Sequence, residues 1–393
     1  MRKKIIIGVL SILFVGAIIT YFTLTKLTKN KIKHAILHNI GVLDSDWKIN
    51  TELNNEKYTT SLNSPSLLID DIYISMEGPV IYKRFMLNEN EDQLYWIQSF
   101  DAKANSNLVS TNSSDDFICH VNFYHSSTEH FSRMGFNDRI GEQSQSQLIT
   151  LTTGSLNVEF PEGFAYPIFS NEKILVGSQS LNLNEEHKWF NLNYDFNIHY
   201  SKNQQKEFKP LYMRYLVMAL PYESDTPEQK SLLEYQIPNF VQCAGPSSRK
   251  IYKGSDKYGQ TTTAFWKVPK GQHTYANDIT NILDLKKPKT IHYINAHAHP
   301  FAKSLELIDV TANTSIFKSI ITNSKDKRAI TKITSYSSVE GVTLLPDHQY
   351  KIILDVNNTS DKEVDMMASF FVYFYDQELN EKLKNNSLSF NIK

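Results

Sequence analysis

The feature that most constrains this 393-residue chain is its long series of short runs in which apolar and polar residues alternate. The runs are rich in aromatic residues (22 Phe and 21 Tyr in the chain) and are separated by Asn, Ser, Gly and Pro. Alternation with a period of two is typical of strands, and aromatic side chains favour strands over helices. We therefore predict an all-β fold of two tandem antiparallel β-sandwiches of jelly-roll type.

The N-terminus carries a different pattern, a basic cap followed by an apolar segment. The cap is Met1–Lys4, and the twenty residues Ile5–Leu24 that follow carry no charge. A helix of that length extends about 30 Å, which matches the core of a bilayer. We find no small-residue cleavage site before Lys26, and this favours an uncleaved signal-anchor over a cleaved secretory signal. The pattern predicts a transmembrane anchor, with residues 25–60 as a stalk or linker.

The charge of the chain gives no case for nucleic-acid binding. Its 41 Lys and Arg nearly balance 42 Asp and Glu, for a net charge of −1. Binding to nucleic acid depends on clustered cations that replace counterions on the phosphates. The chain beyond the anchor is long enough for two globular domains. We place the N-terminal sandwich at residues 61–205 and the C-terminal sandwich at residues 206–393.

Two histidines in the C-terminal half form an H-x-H motif, at His297 and His299. We interpret the surrounding segment, Thr290–Asp309, as a strand. Side chains two residues apart in a strand share one face, so both imidazoles project to the same side and suit two ligands of one metal ion. With 12 His in the chain, such a motif also arises readily by chance. The alternative interpretation is two histidines on a solvated sheet face.

A methionine pair near the C-terminus adds a soft donor. The segment Tyr350–Asp376 predicts a strand, a polar turn at Asn357–Lys362 and then a strongly aromatic buried strand. Met366 and Met367 lie where that last strand begins, and alternation puts one toward the core and the other on the opposite face. A thioether beside two imidazoles suits Cu(I) better than zinc or magnesium. The alternative is that the methionine only fills the core.

These motifs resemble those of the copper type II, ascorbate-dependent monooxygenases, the family of peptidylglycine α-hydroxylating monooxygenase and dopamine β-monooxygenase. The resemblance rests on the H-x-H motif, the D-x-M motif that ends at Met367, and the 70 residues that separate His297 from Met367. It implies that His297, His299 and Met367 bind the copper ion at which oxygen is activated, with ascorbate as reductant. Asn295 stands where the peptide-amidating members carry an arginine, so we do not predict peptide amidation.

The resemblance also implies a second copper ion, the one that delivers electrons, in the N-terminal sandwich. Cys119 and His120 stand at the positions of two adjacent histidine ligands, and Leu183 stands where the third histidine is expected. Leucine cannot bind a metal, so the resemblance implies a degenerate electron-transfer site and one copper ion per chain. The alternative is that His120 is a buried, hydrogen-bonded histidine. Nearby histidines that could substitute are His125, His130 and His187.

The chain has two cysteines, Cys119 and Cys243. In an oxidising compartment they can form a disulfide that ties the first sandwich to the segment leading into the second. Such a bond would stabilise the fold by about 4–5 kcal/mol if it acts through the entropy of the unfolded chain. Alternatively both are small buried residues, with Cys119 as a soft copper ligand.

Two classes of function follow from the sequence. The first is a membrane-anchored copper monooxygenase that hydroxylates a C–H bond of an unknown small substrate with an ascorbate-type reductant. The second is a non-catalytic copper-binding or interaction protein that retains one copper site. The missing third histidine favours this second class, whereas the resemblance across both sandwiches favours the first, which we take as the primary interpretation. A third possibility is a β-sandwich adhesion or receptor domain with incidental histidines. The metal chemistry places the bulk of the chain outside the cytoplasm, in a periplasm, an extracellular space or a secretory lumen.

Overall fold

The computed structural model describes residues 15–16, 19–75, 77–108, 114–140, 145–202, 207–221, 253–255 and 261–385. Strands far outnumber helices in this part of the chain, which confirms the prediction of a mostly β fold. The elements of the first half, in chain order, are α1 (Lys26–Asn39), β1 (Lys48–Asn54), β2 (Lys57–Asn63), β3 (Leu67–Ile69), β4 (Val80–Phe85), β5 (Leu94–Ser106), the 3₁₀ helix η1 (Ser114–Phe117), β6 (Ile118–Ser126), α2 (Ser127–Arg133), the 3₁₀ helix η2 (Asn137–Arg139), β7 (Gln145–Thr152), β8 (Asn157–Glu159), β9 (Phe164–Phe169), β10 (Ile174–Ser180) and β11 (Phe190–Lys202).

The second half also consists mainly of short strands. Its elements are β12 (Lys209–Val217), β13 (Leu220–Pro221), β14 (Lys253–Ser255), β15 (Thr261–Thr263), β16 (Trp266–Val268), β17 (Gly271–Asp278), α3 (Thr280–Leu283), β18 (Lys289–Ala298), β19 (Ala302–Asp309), β20 (Thr314–Asn323), β21 (Ile330–Ile333), β22 (Tyr336–Leu344), β23 (Tyr350–Asn358), β24 (Val364–Met366), β25 (Ala368–Tyr375) and α4 (Gln377–Lys384). Gly271, the first residue of β17, has a φ of +113°, a conformation that only glycine adopts readily.

The largest sheet runs through both halves of the chain. Its strands lie in the order β1-β2-β11-β5-β9-β12-β25-β18-β22. The junction is a short parallel pairing of β9 with β12, in which Phe164 pairs with Lys209 and Ala165 with Pro210. The two halves that we predicted as tandem sandwiches therefore share one hydrogen-bonded sheet.

Strands β18 and β25 lie between the two halves, and both of their faces are therefore buried. In β25, Phe370, Val372 and Phe374 pack in the core of the second half. The alternate residues Phe371 and Tyr373 pack in the core of the first half. A strand with two covered faces carries a continuous apolar run, which is what the sequence of β25 shows. Each of its faces then needs its own covering sheet.

Two smaller sheets provide that cover. The sheet β4-β10-β6-β7 belongs to the first half and the sheet β17-β23-β19-β20-β21 to the second. Val121 and Phe123 of β6 are fully buried in the first core, and Leu305 and Leu354 are fully buried in the second. Complete burial of a side chain of this size contributes about 1.5–3 kcal/mol to folding. The molecule therefore has two cores separated by the shared sheet.

A buried amide fixes β18 against the first half. Asn295 is fully buried, accepts a hydrogen bond from Ser155 Oγ (2.8 Å) and donates one to the carbonyl oxygen of Thr150 (2.9 Å). Nearby, the Tyr373 hydroxyl donates to the carbonyl oxygen of Leu148 at 2.6 Å. A buried polar group is costly unless it is hydrogen-bonded, so these contacts select one register of the strands on the covering sheet. The role of Asn295 is structural.

The N-terminal residues contribute to the fold rather than forming only a stalk. Asn30 of α1 is buried and donates to the Leu68 carbonyl oxygen (2.8 Å) and to Asp70 Oδ1 (2.7 Å). Strand β1 is the edge of the largest sheet and pairs with β2, which pairs with β11, so part of the predicted linker belongs to this sheet. The predicted anchor is Ile5–Leu24, and most of its residues lie outside the described part of the chain. Among the residues that are described, we find no helix of sufficient length and apolarity to cross a bilayer.

Candidate metal centres

The structure brings the H-x-H segment and the methionine segment together. Strands β18 and β25 are antiparallel neighbours, in which His297 pairs with Ser369 and Ala298 with Ala368. His299 is the residue directly after β18, and Met367 is the residue directly before β25, so both lie next to the last pair of the two strands. As alternation predicts, Met366 lies in the core of the second half, whereas Met367 lines a cleft on the opposite face.

This cleft lies between the two halves and has a volume of about 780 Å³. It is large enough for a small organic molecule, since ligand pockets have volumes of about 300–1,000 Å³. Its wall carries His120 of β6 and His297 of β18. It also carries Met367, which directly precedes β25, and Ser369 of β25. Donors from both halves of the chain therefore face one space.

His297 carries a buried ring nitrogen without a hydrogen-bond partner on this wall. It is 6% exposed, and its Nδ1 is buried with no hydrogen-bond partner among the described residues. Burial lowers the pKa of His297 well below its usual value, and the neighbouring rings of His299 and His120 lower it further. The ring is therefore neutral at physiological pH, with a nitrogen that the described protein atoms leave unused. Ser369 Oγ, on the paired strand, is likewise buried without a partner among them.

The spacing of the rings fits metal binding. The centroid of the His297 ring lies 6.3 Å from that of His120 and 5.3 Å from that of His299. With metal–nitrogen bonds of about 2.0 Å, two imidazoles on one ion have centroids roughly 5–6 Å apart. The thioether of Met367, which lines the same cleft as His120 and His297, is a soft donor of the kind that suits Cu(I).

His299 has a different environment from His297. Its Nδ1 lies 3.1 Å from Asp365 Oδ2, and its Nε2 lies 3.1 Å from Ser75 Oγ. Burial alone would raise the pKa of Asp365, but its hydrogen bond to His299 and the charge of Arg328, 2.9 Å away, bring this pKa below its usual value. The Asp365 carboxylate therefore accepts a hydrogen bond from His299 Nδ1, and Nε2 lies within hydrogen-bond distance of the Ser75 hydroxyl.

The order Ser75, His299, Asp365 is that of the relay in serine hydrolases. The cavity beside it has a volume of only about 30 Å³, which is close to the space of a single water molecule. An acyl group does not fit there, and we do not infer hydrolysis. A carboxylate that fixes the tautomer and orientation of an imidazole is also the usual support of a metal-binding histidine. Asp365 therefore orients the His299 ring.

The residues predicted for the second copper ion do not converge. Cys119 lines the small cavity, where its Sγ lies 3.3 Å from Ser75 Oγ, whereas His120 lines the large cleft. Leu183 lies in the same small cavity as Cys119 and gives it an apolar wall. His187 is exposed. Cys243 lies outside the described residues, so the disulfide stays a prediction.

A second cluster of donors lies in the first half, where sequence analysis noted two of its histidines only as substitutes. His125, His130 and Glu172 are each at most 2% exposed, and one ligand-competent atom from each lies within 4.8 Å of the others. His130 Nδ1 lies 2.8 Å from Glu172 Oε2, and Tyr166 OH lies 3.0 Å from His125 Nε2. His125 faces away from the cleft that His120 lines, as its spacing of five predicted. No sequence pattern pointed to Glu172.

Burial dominates the protonation of this cluster. It lowers the pKa of His125 and the pKa of His130 to about 3 and raises the pKa of Glu172 to about 7. The contact between His130 and Glu172 is therefore a hydrogen bond of a neutral imidazole rather than an ion pair. Two neutral imidazoles, each with one nitrogen that carries no hydrogen, lie beside a buried carboxyl group.

Comparisons with known proteins do not assign the chain to a family. No family model and no curated protein matches it. Among solved structures it is similar to PNGase F, a glycosylasparaginase from Flavobacterium meningosepticum, with 8% identity over 84% of this chain and 96% of that chain and a TM-score of 0.29. A peptide-N(4)-(N-acetyl-β-D-glucosaminyl)asparagine amidase gives 12% identity, 79% and 96% coverage and a TM-score of 0.27. At such low TM-scores these similarities carry no argument about function.

Proposed function

We propose that the protein binds one copper ion on the wall of the cleft between its halves and oxidises a small organic molecule that enters this cleft. The proposed donors are His297 and Met367, with His120 or His299 as the second imidazole. The observation that carries the proposal is the buried His297 ring, whose Nδ1 has no partner among the described residues although two other imidazoles lie close to it and Met367 lines the same cleft.

A buried polar nitrogen without a partner costs about 1–3 kcal/mol relative to a bonded one. A structural histidine in a core would have a hydrogen bond, as His292 has to the Ser338 carbonyl oxygen at 3.0 Å. A bound ligand that forms a bond to His297 Nδ1 would remove this cost and would explain why the ring is buried without a partner. Perturbed, buried groups that face a cleft are the usual sign of a functional site.

The residues around the copper would have distinct tasks. Asp365 orients His299, the neutral ring of His297 offers a lone pair, and Met367 favours the reduced ion over zinc. Copper supplies the one-electron and oxygen chemistry of such a site. The cleft would hold the substrate and limit the access of water. Cys119 and His120 line different cavities, so the proposal assigns no electron-transfer copper to this pair and has the bound ion reduced directly from solution.

The first test is copper stoichiometry joined to oxygen consumption. The metal-free full chain should take up one Cu(I) per chain against a coloured Cu(I) chelator, and zinc should not displace it. The loaded protein should then consume oxygen with ascorbate at a rate that depends on the copper held by the protein and differs from that of free copper. Stoichiometric binding without oxygen consumption would support the non-catalytic copper-binding alternative. Absence of stoichiometric binding would refute both.

A further inference from the structure

The cluster at His125, His130 and Glu172 lies apart from the cleft wall and joins three different elements. His125 is near the end of β6, His130 lies in α2, and Glu172 lies in the turn between β9 and β10. All three side chains are buried, and Tyr166 stands between them and the cleft that it also lines. We propose that this cluster is a structural site for a divalent transition ion of the zinc class, separate from the copper site.

The donor set has the composition of known sites. Two histidines and one glutamate bind zinc in catalytic sites, where water takes the fourth position, and a structural zinc ion has four protein donors. Here the Tyr166 hydroxyl, 3.0 Å from His125 Nε2, would be the fourth protein donor. A site closed by four protein donors and shielded from solvent is structural rather than catalytic, because no position is left for substrate.

The tautomer of His125 is already that of a ligand. Its Nδ1 lies 3.2 Å from the Ser126 carbonyl oxygen, which can only accept a hydrogen bond. The Nδ1 therefore carries the hydrogen, and Nε2 keeps the lone pair that points toward the Tyr166 hydroxyl. A backbone carbonyl that holds the far nitrogen of a histidine is the common support of a metal-bound ring.

The separation of His130 and Glu172 also fits a bound ion after a small adjustment. The two atoms are 2.8 Å apart, with one hydrogen between them. Two donors on a tetrahedral zinc ion lie about 3.3 Å apart when each bond is about 2.0–2.1 Å. The contact must therefore open by a few tenths of an ångström, with loss of the shared hydrogen. The ion would also compensate the charge of Glu172, whose nearest described cation, Arg133, is engaged by Asp92 and Asn171.

Glu172→Gln tests the proposal because it keeps the shape of the side chain and removes its charge. The metal-free full chain should bind one Zn²⁺ per chain, and Co²⁺ in its place should give visible absorption of tetrahedral type. Glu172→Gln should lower the Zn²⁺ affinity at least about 100-fold, since removal even of supporting groups costs 10–100-fold. The matched control, Glu162→Gln, changes an exposed glutamate in the same half and should bind as the wild type does.

His297→Leu separates the two metal sites, because it should leave Zn²⁺ binding unchanged. If the wild type takes up no stoichiometric Zn²⁺, or if folded Glu172→Gln binds it as tightly as the wild type, the cluster is a hydrogen-bonded network without metal and the proposal is wrong. Should Glu172→Gln not fold, the Zn²⁺ stoichiometry and Co²⁺ absorption of the wild type and of His297→Leu decide the question.

Discussion

Replacement of His297 by leucine is expected to lower the affinity for Cu(I) at least about 100-fold, because it removes a donor from the proposed site. The same change should leave the metal-free protein no less stable than the metal-free wild type. Leucine has a similar volume, and no described residue loses a hydrogen bond from Nδ1. The two measurements are competition with a Cu(I) chelator and urea unfolding of the metal-free proteins.

His273→Ala is the matched control for His297→Leu. His273 lies in β17, away from both cavities, and should bind copper as the wild type does. A pronounced loss of stability in metal-free His297→Leu would show that the ring is held by contacts of its own. An unchanged affinity for Cu(I) would remove His297 from the site.

Arg139→Met is expected to destabilise the fold by about 3–5 kcal/mol, because it leaves a buried carboxylate without its counter-ion. The Arg139 guanidinium binds both oxygens of Asp376, which is 1% exposed, and lies 2.9 Å from Glu378 Oε2. Asp376 also caps α4 by accepting a hydrogen bond from Leu379 N at 3.1 Å. These contacts fasten α4 to η2 beside the cleft. Urea unfolding measures the change.

The double variant Arg139→Met with Asp376→Asn is the control for this pair. Asparagine retains the helix cap and carries no charge, so the double variant should recover a large part of the lost stability. A cost below about 1 kcal/mol for Arg139→Met alone would mean that the pair behaves as an exposed salt bridge. The interpretation of Asp376 as a buried, compensated charge would then be wrong.

Local patterns predicted much of the fold. The pattern of Tyr350–Asp376 predicted β23 and the aromatic strand β25, and the split of Met366 and Met367 between two faces followed from a period of two. The shared sheet was not predictable in this way. It depends on a two-residue parallel pairing of β9 with β12, and nothing local in either segment identifies its partner. A fully apolar strand such as β25 indicates two covered faces without saying which sheets cover them.

The candidate sites show the same limit. The resemblance to the copper monooxygenases implied that His297 and Met367 lie near each other, and the pairing of β18 with β25 places their segments side by side. The hydrogen bond from Ser75 to His299 spans 224 residues, and no pattern near either residue indicates it. Glu172 was missed for a related reason, since it lies in a turn 42 residues from His130.

X-ray absorption at the copper edge tests the central claim most directly, because it reports which atoms surround the ion. The Cu(I)-loaded full chain should show one sulfur neighbour together with imidazole nitrogens. The sulfur should disappear in Met367→Leu and remain in Met366→Leu, whose methionine packs in the core of the second half. A copper ion with no sulfur neighbour in the wild type, or a sulfur that persists in Met367→Leu, would contradict a copper site on the wall of the cleft.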